Sequence, residues 1–551
     1  MKKRLLSATL FLMAAALTAQ NTVGLLSYQP QQAFDGYNLI FPHNQSTVYL
    51  LDNCGEIVNS WTSAADLRPG NKVALLPDGR LVVAIRPDDV SNDPIWAGGG
   101  GATIEIRDWD NNVEWSYTLN NAERRLHHSF VVKPDGNLIL IAWEKKTREE
   151  AIQAGRDSTL LPQNEIWPDY LFEINPANDS IVWEWHTWDH LIQDFDATKD
   201  NYGVIADHPE LIDFNYDTSN GNPDWMHGNA VDYNPDLDQV LFGVPTFSEI
   251  WIIDRSTTTE EATGHSGGAS GKGGDLMFRW GNPAVYGVAA PQTLFFQHNA
   301  HWITDVDIFD PNYGKIAVFN NRYGANYSVA NIIANTFDMY KGNYPMSDGA
   351  FLPTTYDETI KHPVDSTLMN SNGLSSIQYL PNGNYLIQVG RTGYAFELTP
   401  DQEIVWEYKV PLKNGQPAPQ GATLVANDNI TFEMIRYPAG FPGFDGKDLS
   451  GKGWIETSPD STFCSNILPT EDVADHARLK VYPNPAFDWV TLEWDNAGPI
   501  AVEVLDLTGK PVMGTRKLES GKADLDVSGL PRGMYFLWVN GVRARKLLVV
   551  K

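Results

Sequence analysis

Leu126-His127-His128-Ser129-Phe130-Val131-Val132-Lys133-Pro134-Asp135-Gly136-Asn137-Leu138-Ile139-Leu140-Ile141-Ala142-Trp143 is an apolar segment, a four-residue turn and a second apolar segment. Proline presets φ for the turn and glycine supplies the positive φ that follows, so the stretch reads as a β-hairpin. The pattern recurs at Pro77-Asp78-Gly79 and Pro381-Asn382-Gly383, and more loosely at Asn234-Pro235-Asp236, Pro311-Asn312-Tyr313-Gly314 and Ala426-Asn427-Asp428-Asn429. A second hairpin usually follows, returning onto a tryptophan, as in Tyr170–Trp185 and Tyr394–Trp406. Two hairpins give four strands, the size of a propeller blade. One second-type hairpin, Val48–Trp61, precedes the first full unit, and one first-type hairpin, Thr423–Tyr437, has nothing after it. Joined, they complete a ring, so the expected fold is all-β: a six-bladed β-propeller over residues 20–449 whose last blade takes strands from both ends. A single two-sheet sandwich is too small for about 400 residues of repeats.

The ends of the chain read differently. Met1–Ala19 carries Lys2-Lys3-Arg4, an apolar run and then small residues, the pattern of a cleaved secretory signal peptide. No later apolar run approaches the roughly 20 residues that span a bilayer, so no transmembrane segment is expected. Residues 450–476 are read as a linker, and 477–551 as a small Ig-like β-sandwich with strands at Val490–Trp494, Ile500–Leu507 and Met534–Val539 and a turn at Leu507-Thr508-Gly509-Lys510. Cys54 and Cys464 are the only cysteines. In an oxidising compartment they either pair, stapling the ring closure, or stay as two free thiols. The net charge of −29 excludes nonspecific nucleic-acid binding, which needs a basic face to displace phosphate counterions.

Candidate chemistry rests on histidines. His127 and His128 open one first strand, His227 the next, and His298 and His301 the third. First strands line the channel of a propeller, so three adjacent blades deliver imidazoles to one pocket. Such a cluster serves either metal binding or covalent and acid–base catalysis. The adjoining residues, Ser129, Gly228, Asn229, Gln297 and Asn299, are neutral and suit an anion better than a cation, so no metal is expected. Neutral imidazole attacks sulfuryl or phosphoryl groups near neutral pH, and amide donors stabilise charge on the transferred oxygens. The glycine-rich run His265–Gly274 lacks P-loop spacing and reads as a flexible loop. Asp305, Asp307 and Asp310 read as solvated turn carboxylates.

Two family resemblances follow from these residues. Val481-Tyr482-Pro483-Asn484-Pro485-Ala486, Val504–Lys510, Leu530–Phe536 and the ending Lys546–Lys551 resemble the C-terminal sorting domain of the type IX secretion system. That resemblance implies secretion-machinery partners, passage through the periplasm and outer membrane, and an extracellular or surface location. Leu126–Glu144, Trp225–Asp254, Gly273–Pro283, Phe296–Trp302, Lys315–Asn321 and Ser375–Tyr408 resemble the bacterial arylsulfate sulfotransferases. This second resemblance implies transfer of a sulfuryl group from a phenolic sulfate donor to a phenol acceptor, with no cofactor. His298 takes the place of the transiently sulfated histidine. His227 and Asn229 match a His-x-Asn pair that binds sulfuryl oxygens, and the family's further active-site histidine falls on His128, although the strands here align His127 with His227. One departure stands out: Val244-Pro245-Thr246-Phe247 replaces a segment bearing a sulfate-binding arginine. Arg322, after Asn320-Asn321, and Arg391 are the candidate substitutes. Two other readings of the histidine cluster are a noncatalytic surface propeller for a glycan, peptide or anion, and a metal-dependent hydrolase or lyase.

Overall fold

The computed structural model describes residues 21–464, and residues 480–549 apart from 485, 495–498, 507–509, 520 and 540–541. The signal-peptide reading, the later part of the linker (465–476) and the turn at 507–509 lie outside the described residues. The chain divides into two compact units, Met1–Ile467 and Leu468–Lys551. Strands dominate both, and the longest described helix, Arg148–Gln153, has six residues.

In the first unit six antiparallel sheets, each built on four strands, follow one another along the chain. The strand at one edge of each begins with the segment read as the first of its unit: β1 (Leu67–Leu75), β2 (Arg124–Val132), β3 (Ala230–Asn234), β4 (His298–Trp302), β5 (Ser376–Tyr379) and β6 (Thr431–Pro438). Each touches the next in that order, and β6 touches β1. The sheet containing β6 joins the two ends of the unit, since β6 pairs with Gly36–Pro42, Tyr37 lying opposite Tyr437. The division differs from the expected two strands from each end: three strands come from Gly36–Thr62 and one from the C-terminal side. The expected turn at Ala426–Asn429 is instead a loop, with Asn427 at positive φ and its N–H donated to Arg391 O. An unforeseen fifth strand, Gly24–Tyr28, pairs with Ile404–Lys409 and covers what would be an exposed edge.

The tryptophans explain the packing between sheets. Trp61, Trp183 and Trp406 are fully buried, and each indole N–H leaves its own sheet, for Asp108 O at 2.9 Å, Thr257 Oγ1 at 3.0 Å and Asn53 O at 2.8 Å. A buried indole needs such a partner, and each bond adds roughly 1 kcal/mol to the larger gain from burying the ring. Cys54 and Cys464 are joined by a disulfide, Cα to Cα 5.6 Å, which ties the turn of the closing sheet to the segment after the ring.

The second unit has a three-stranded and a four-stranded sheet. Val490 and Leu492 from one share a buried cluster with Val502, Val504 and Leu537 from the other, the two-layer arrangement of a β-sandwich. The expected strands appear as Trp489–Glu493, Ile500–Leu505 and Gly533–Val539.

Candidate active site

The histidines collect where β2, β3 and β4 begin. β2 slips register between Leu140 and Ala142, and this irregularity lies opposite His127-His128-Ser129. His128 takes φ +51° there, and His227, just before β3, takes φ +56°. The shared backbone conformation makes His128, not His127, the counterpart of His227. Their rings meet edge to face, with centroids 4.5 Å apart. Gly99 makes room for this: a Cβ at that position would lie 1.9 Å from His128 Nε2.

His127 sits beneath them. Its ring stacks on Trp143 at 4.0 Å, its Nδ1 is 2.9 Å from His128 Nδ1, and its Nε2 stands 3.2 Å from Asp169 Oδ1, off the line a hydrogen bond requires. Burial pushes His127 down to about 3, and it pushes His128 well below the usual histidine range, with His227 and His127 adding repulsion. Burial also lowers His227, but Asp224 overrides it: Nδ1–H donates to Asp224 Oδ2 at 2.5 Å, and the carboxylate holds the imidazole above its ordinary value. Asp224 is itself anchored by Trp143, whose indole N–H donates to Oδ1 at 2.8 Å.

His298 is buried and neutral, lowered to about 3 by burial and by the charge on His227. Its Nδ1 is 2.8 Å from Asn321 Oδ1. The Asn321 amide is oriented by its other end, since Nδ2 donates to Ser371 O at 2.9 Å and to Leu374 O at 2.8 Å. Oδ1 therefore accepts, His298 Nδ1 carries the proton, and Nε2 holds a free lone pair. Phe296 stands between the two imidazoles, 6.0 Å from each.

The arginines sit close by. The Arg322 guanidinium lies 3.5 Å over the Phe296 ring, and its Nε donates to Asn372 O at 3.3 Å. A Cβ built at Gly373 would lie 3.6 Å from Arg391 Nη2 and 4.0 Å from His298 Nε2, so guanidinium and imidazole share the space this glycine leaves open. Arg391 Nε is buried without a partner. Neither arginine has a carboxylate within 4.0 Å among the described residues. Burial lowers both, and for Arg322 the charge of Arg391 lowers it further. Two guanidinium groups without a carboxylate partner are the chemistry that recognition of an anion calls for.

An open cleft of ≈ 560 Å³ leads in, lined by Trp96, Phe295, Phe296, His227, Pro245 and Arg322 among others. Pro245, which stands in the segment where the resemblance expects an arginine, therefore shares a wall with Arg322. The cleft's aromatic faces suit a planar ring.

The Arylsulfotransferase (ASST) family model matches residues 38–415. The chain belongs to the arylsulfotransferase family. Membership supports aryl sulfotransferase activity as a class. A second model, the secretion system C-terminal sorting domain, matches residues 480–551 and indicates type IX secretion to the cell surface or beyond. No described helix is long and apolar enough to cross a membrane. No curated protein matches the chain. Among solved structures, a Bacteroides caccae protein of unknown function is 9% identical, covering 73% of this chain and 98% of that one at a TM-score of 0.37. Hydrazine synthase of Kuenenia stuttgartiensis is 14% identical over 53% and 66%, TM-score 0.30. Virginiamycin B lyase of Staphylococcus aureus, a catalytically inactive variant with quinupristin, is 12% identical over 68% and 85%, TM-score 0.31. All three scores lie below 0.5, so these likenesses assign neither fold detail nor activity to this arylsulfotransferase.

The structure thus brings His127, His128, His227, His298, Asn321, Arg322 and Arg391 into one region of the arylsulfotransferase fold. Asn229 is turned to support: its Nδ2 donates to Gln297 O at 2.8 Å, beside His298, and its Oδ1 is buried without a partner. His301 faces a different cavity, with Lys72, Asp232 and Glu433. Sequence reading missed Asp224, Asp169, Trp143 and Phe296. Asp224 stands three residues before His227, a spacing that marks a local carboxylate–histidine pair.

Proposed function

We propose that this chain is an aryl-sulfate sulfotransferase acting through sulfohistidine at His298, on a six-bladed β-propeller spanning residues 20–449. The observation that supports it most is the His298–Asn321 hydrogen bond, which fixes the tautomer whose Nε2 is a nucleophile. In the first half-reaction Nε2 attacks sulfur of a phenolic sulfate ester, and the sulfur–oxygen bond breaks with its electron pair going to the phenolic oxygen. The His227 imidazolium gives that oxygen a proton, and phenol leaves. The sulfated ring keeps its Nδ1 proton on Asn321. In the second half an acceptor phenol attacks sulfur, neutral His227 takes its proton, and His298 is restored. Arg322 and Arg391 hold the sulfuryl oxygens in place of the arginine that Pro245 displaces. His128 packs edge to face against His227 and is held in turn by His127 through their Nδ1 atoms, so the two position the acid, and Asn229 seats the strand bearing His298. No dissociable cofactor takes part, as general acid–base and nucleophilic groups are all supplied by the chain. We further assign residues 1–19 to a signal peptide, 450–476 to a linker and 477–551 to the sorting domain.

Purified chain incubated with a chromogenic aryl sulfate, with and without a phenol acceptor, tests the reading by intact mass. A gain of one sulfuryl group, absent in His298→Ala and discharged by phenol, is the expected result. Pro245 favours a second reading, a propeller that binds an anionic ligand without turnover. A folded chain that binds aryl sulfates across several donors yet gains no mass establishes that reading instead.

A further inference from the structure

Interleaved in sequence with the channel histidines, His190, His265 and Asp275 form a separate cluster around the base of the glycine-rich loop. His265 opens the loop and Asp275 closes it, while His190 ends a short turn, Thr187–His190, after the strand Ser180–His186. His190 is wholly buried, with both ring nitrogens against oxygen. Nε2 lies 2.9 Å from Ala262 O, so this nitrogen bears a proton. Nδ1 lies 2.9 Å from Asp275 Oδ1, and His265 Nδ1 reaches the same oxygen at 2.8 Å. With its proton on Nε2, a neutral His190 ring meets the carboxylate lone pair to lone pair. A second positive species is required between them: either another proton or a cation.

We infer that this trio binds a borderline first-row divalent cation, zinc in the first instance. The three ligand atoms lie within 4.8 Å of one another. Two imidazoles and one carboxylate suit zinc, cobalt or nickel, whereas calcium and magnesium favour all-oxygen shells. A ligating histidine normally donates its other N–H to a carbonyl or carboxylate, which is what His190 does with Ala262. Trp185 stacks parallel to His190, centroids 5.6 Å apart at 5°, and donates its indole N–H to Gly274 O at 2.6 Å, so the ring plane and the end of the loop are fixed together. Gly274 itself permits the approach, since a Cβ there would lie 2.6 Å from His190 Nε2 and 2.0 Å from Ala262 O. His265 is exposed (63%), which leaves the remaining coordination positions to water. Bound there, the cation joins both ends of the loop to the buried turn and closes its base.

The test uses the full exported chain, stripped with chelator, desalted and titrated with zinc chloride by calorimetry, with bound metal counted by elemental analysis. One zinc per chain is expected in the unmodified protein and in His298→Ala, and none in His265→Ala or Asp275→Asn. Because His265 is exposed, its alanine variant keeps the fold, which circular dichroism checks. Zinc should also slow tryptic cleavage at Lys272 severalfold in the unmodified chain and not in His265→Ala. Absence of stoichiometric zinc, retention by both loop variants, or loss in His298→Ala would each overturn the assignment, the last by moving the metal to the channel.

Discussion

Asp224→Asn isolates the proton donor of the proposed first half-reaction. The Asp224 carboxylate accepts the His227 Nδ1–H at 2.5 Å and keeps the imidazole charged against the pull of burial. In the variant the amide oxygen still accepts the Trp143 indole N–H, so the pocket keeps its shape, but the negative charge is gone and an amide NH2 group faces His227 Nδ1. A charge-assisted hydrogen bond contributes about 1.5–3 kcal/mol, and because the amide NH2 cannot accept the Nδ1–H the imidazolium loses all of that support. At about 1.4 kcal/mol per pH unit, His227 titrates about one to two units lower. His227 must be protonated to release phenol, so single-turnover phenol release is full below its pKa and falls as pH rises through it. The alkaline fall should therefore begin at least one pH unit earlier in Asp224→Asn, giving a rate about tenfold or more lower on the alkaline limb and nearly unchanged on the acid plateau. Stopped-flow release of a chromogenic phenol over about pH 5–9, with intact mass confirming the sulfated chain, reads this directly. An equal loss at every pH, or an alkaline limb that does not move, would show that His227 is not the acid.

Three further outcomes follow from the same geometry. Asn321→Leu removes the acceptor that fixes the His298 tautomer, a hydrogen bond of about 1–1.5 kcal/mol, so sulfation should slow about tenfold; it also strands the Leu374 carbonyl and leaves Ser371 O to the Ser328 hydroxyl, so the melting temperature should fall, and an unchanged labelling rate refutes the tautomer argument. Arg322→Met keeps cover over Phe296 and removes the charge, so KM for a small aryl sulfate should rise about tenfold or more with kcat less affected, and an unaltered KM assigns the sulfate contact elsewhere. His127 and His298 have folded pKa values depressed to about 3 from 6.5, so the stability tied to their neutral forms is whole above pH 6.5 and is lost as pH falls toward 3, by up to about 1.4 kcal/mol per pH unit for each; His127→Phe should flatten the decline of the melting temperature between about pH 6 and 4, and an unaltered slope counts against buried neutral histidine.

What a sequence reveals of such a site depends on whether the determinant is local. The hairpin turns were legible because proline and glycine constrain their own backbone, and the ring closure because an unpaired edge at each end of a repeat array calls for the other. The division of the closing sheet was not, since whether Ala426–Asn429 turns or loops depends on Asn427 reaching Arg391 O in the neighbouring sheet. The histidines were legible as a recurrence, but their roles were not. His127 and His128 are adjacent and chemically identical; a register irregularity in β2 turns one into the interior against Trp143 and the other toward His227. Asn321 carries the same lesson further. In sequence it is one amide among many, yet two carbonyls at Ser371 and Leu374, some fifty residues away, decide which of its ends meets His298 and hence which histidine nitrogen holds a lone pair. Residue type picks out the proposed nucleophile, and contacts between segments distant in sequence set its protonation.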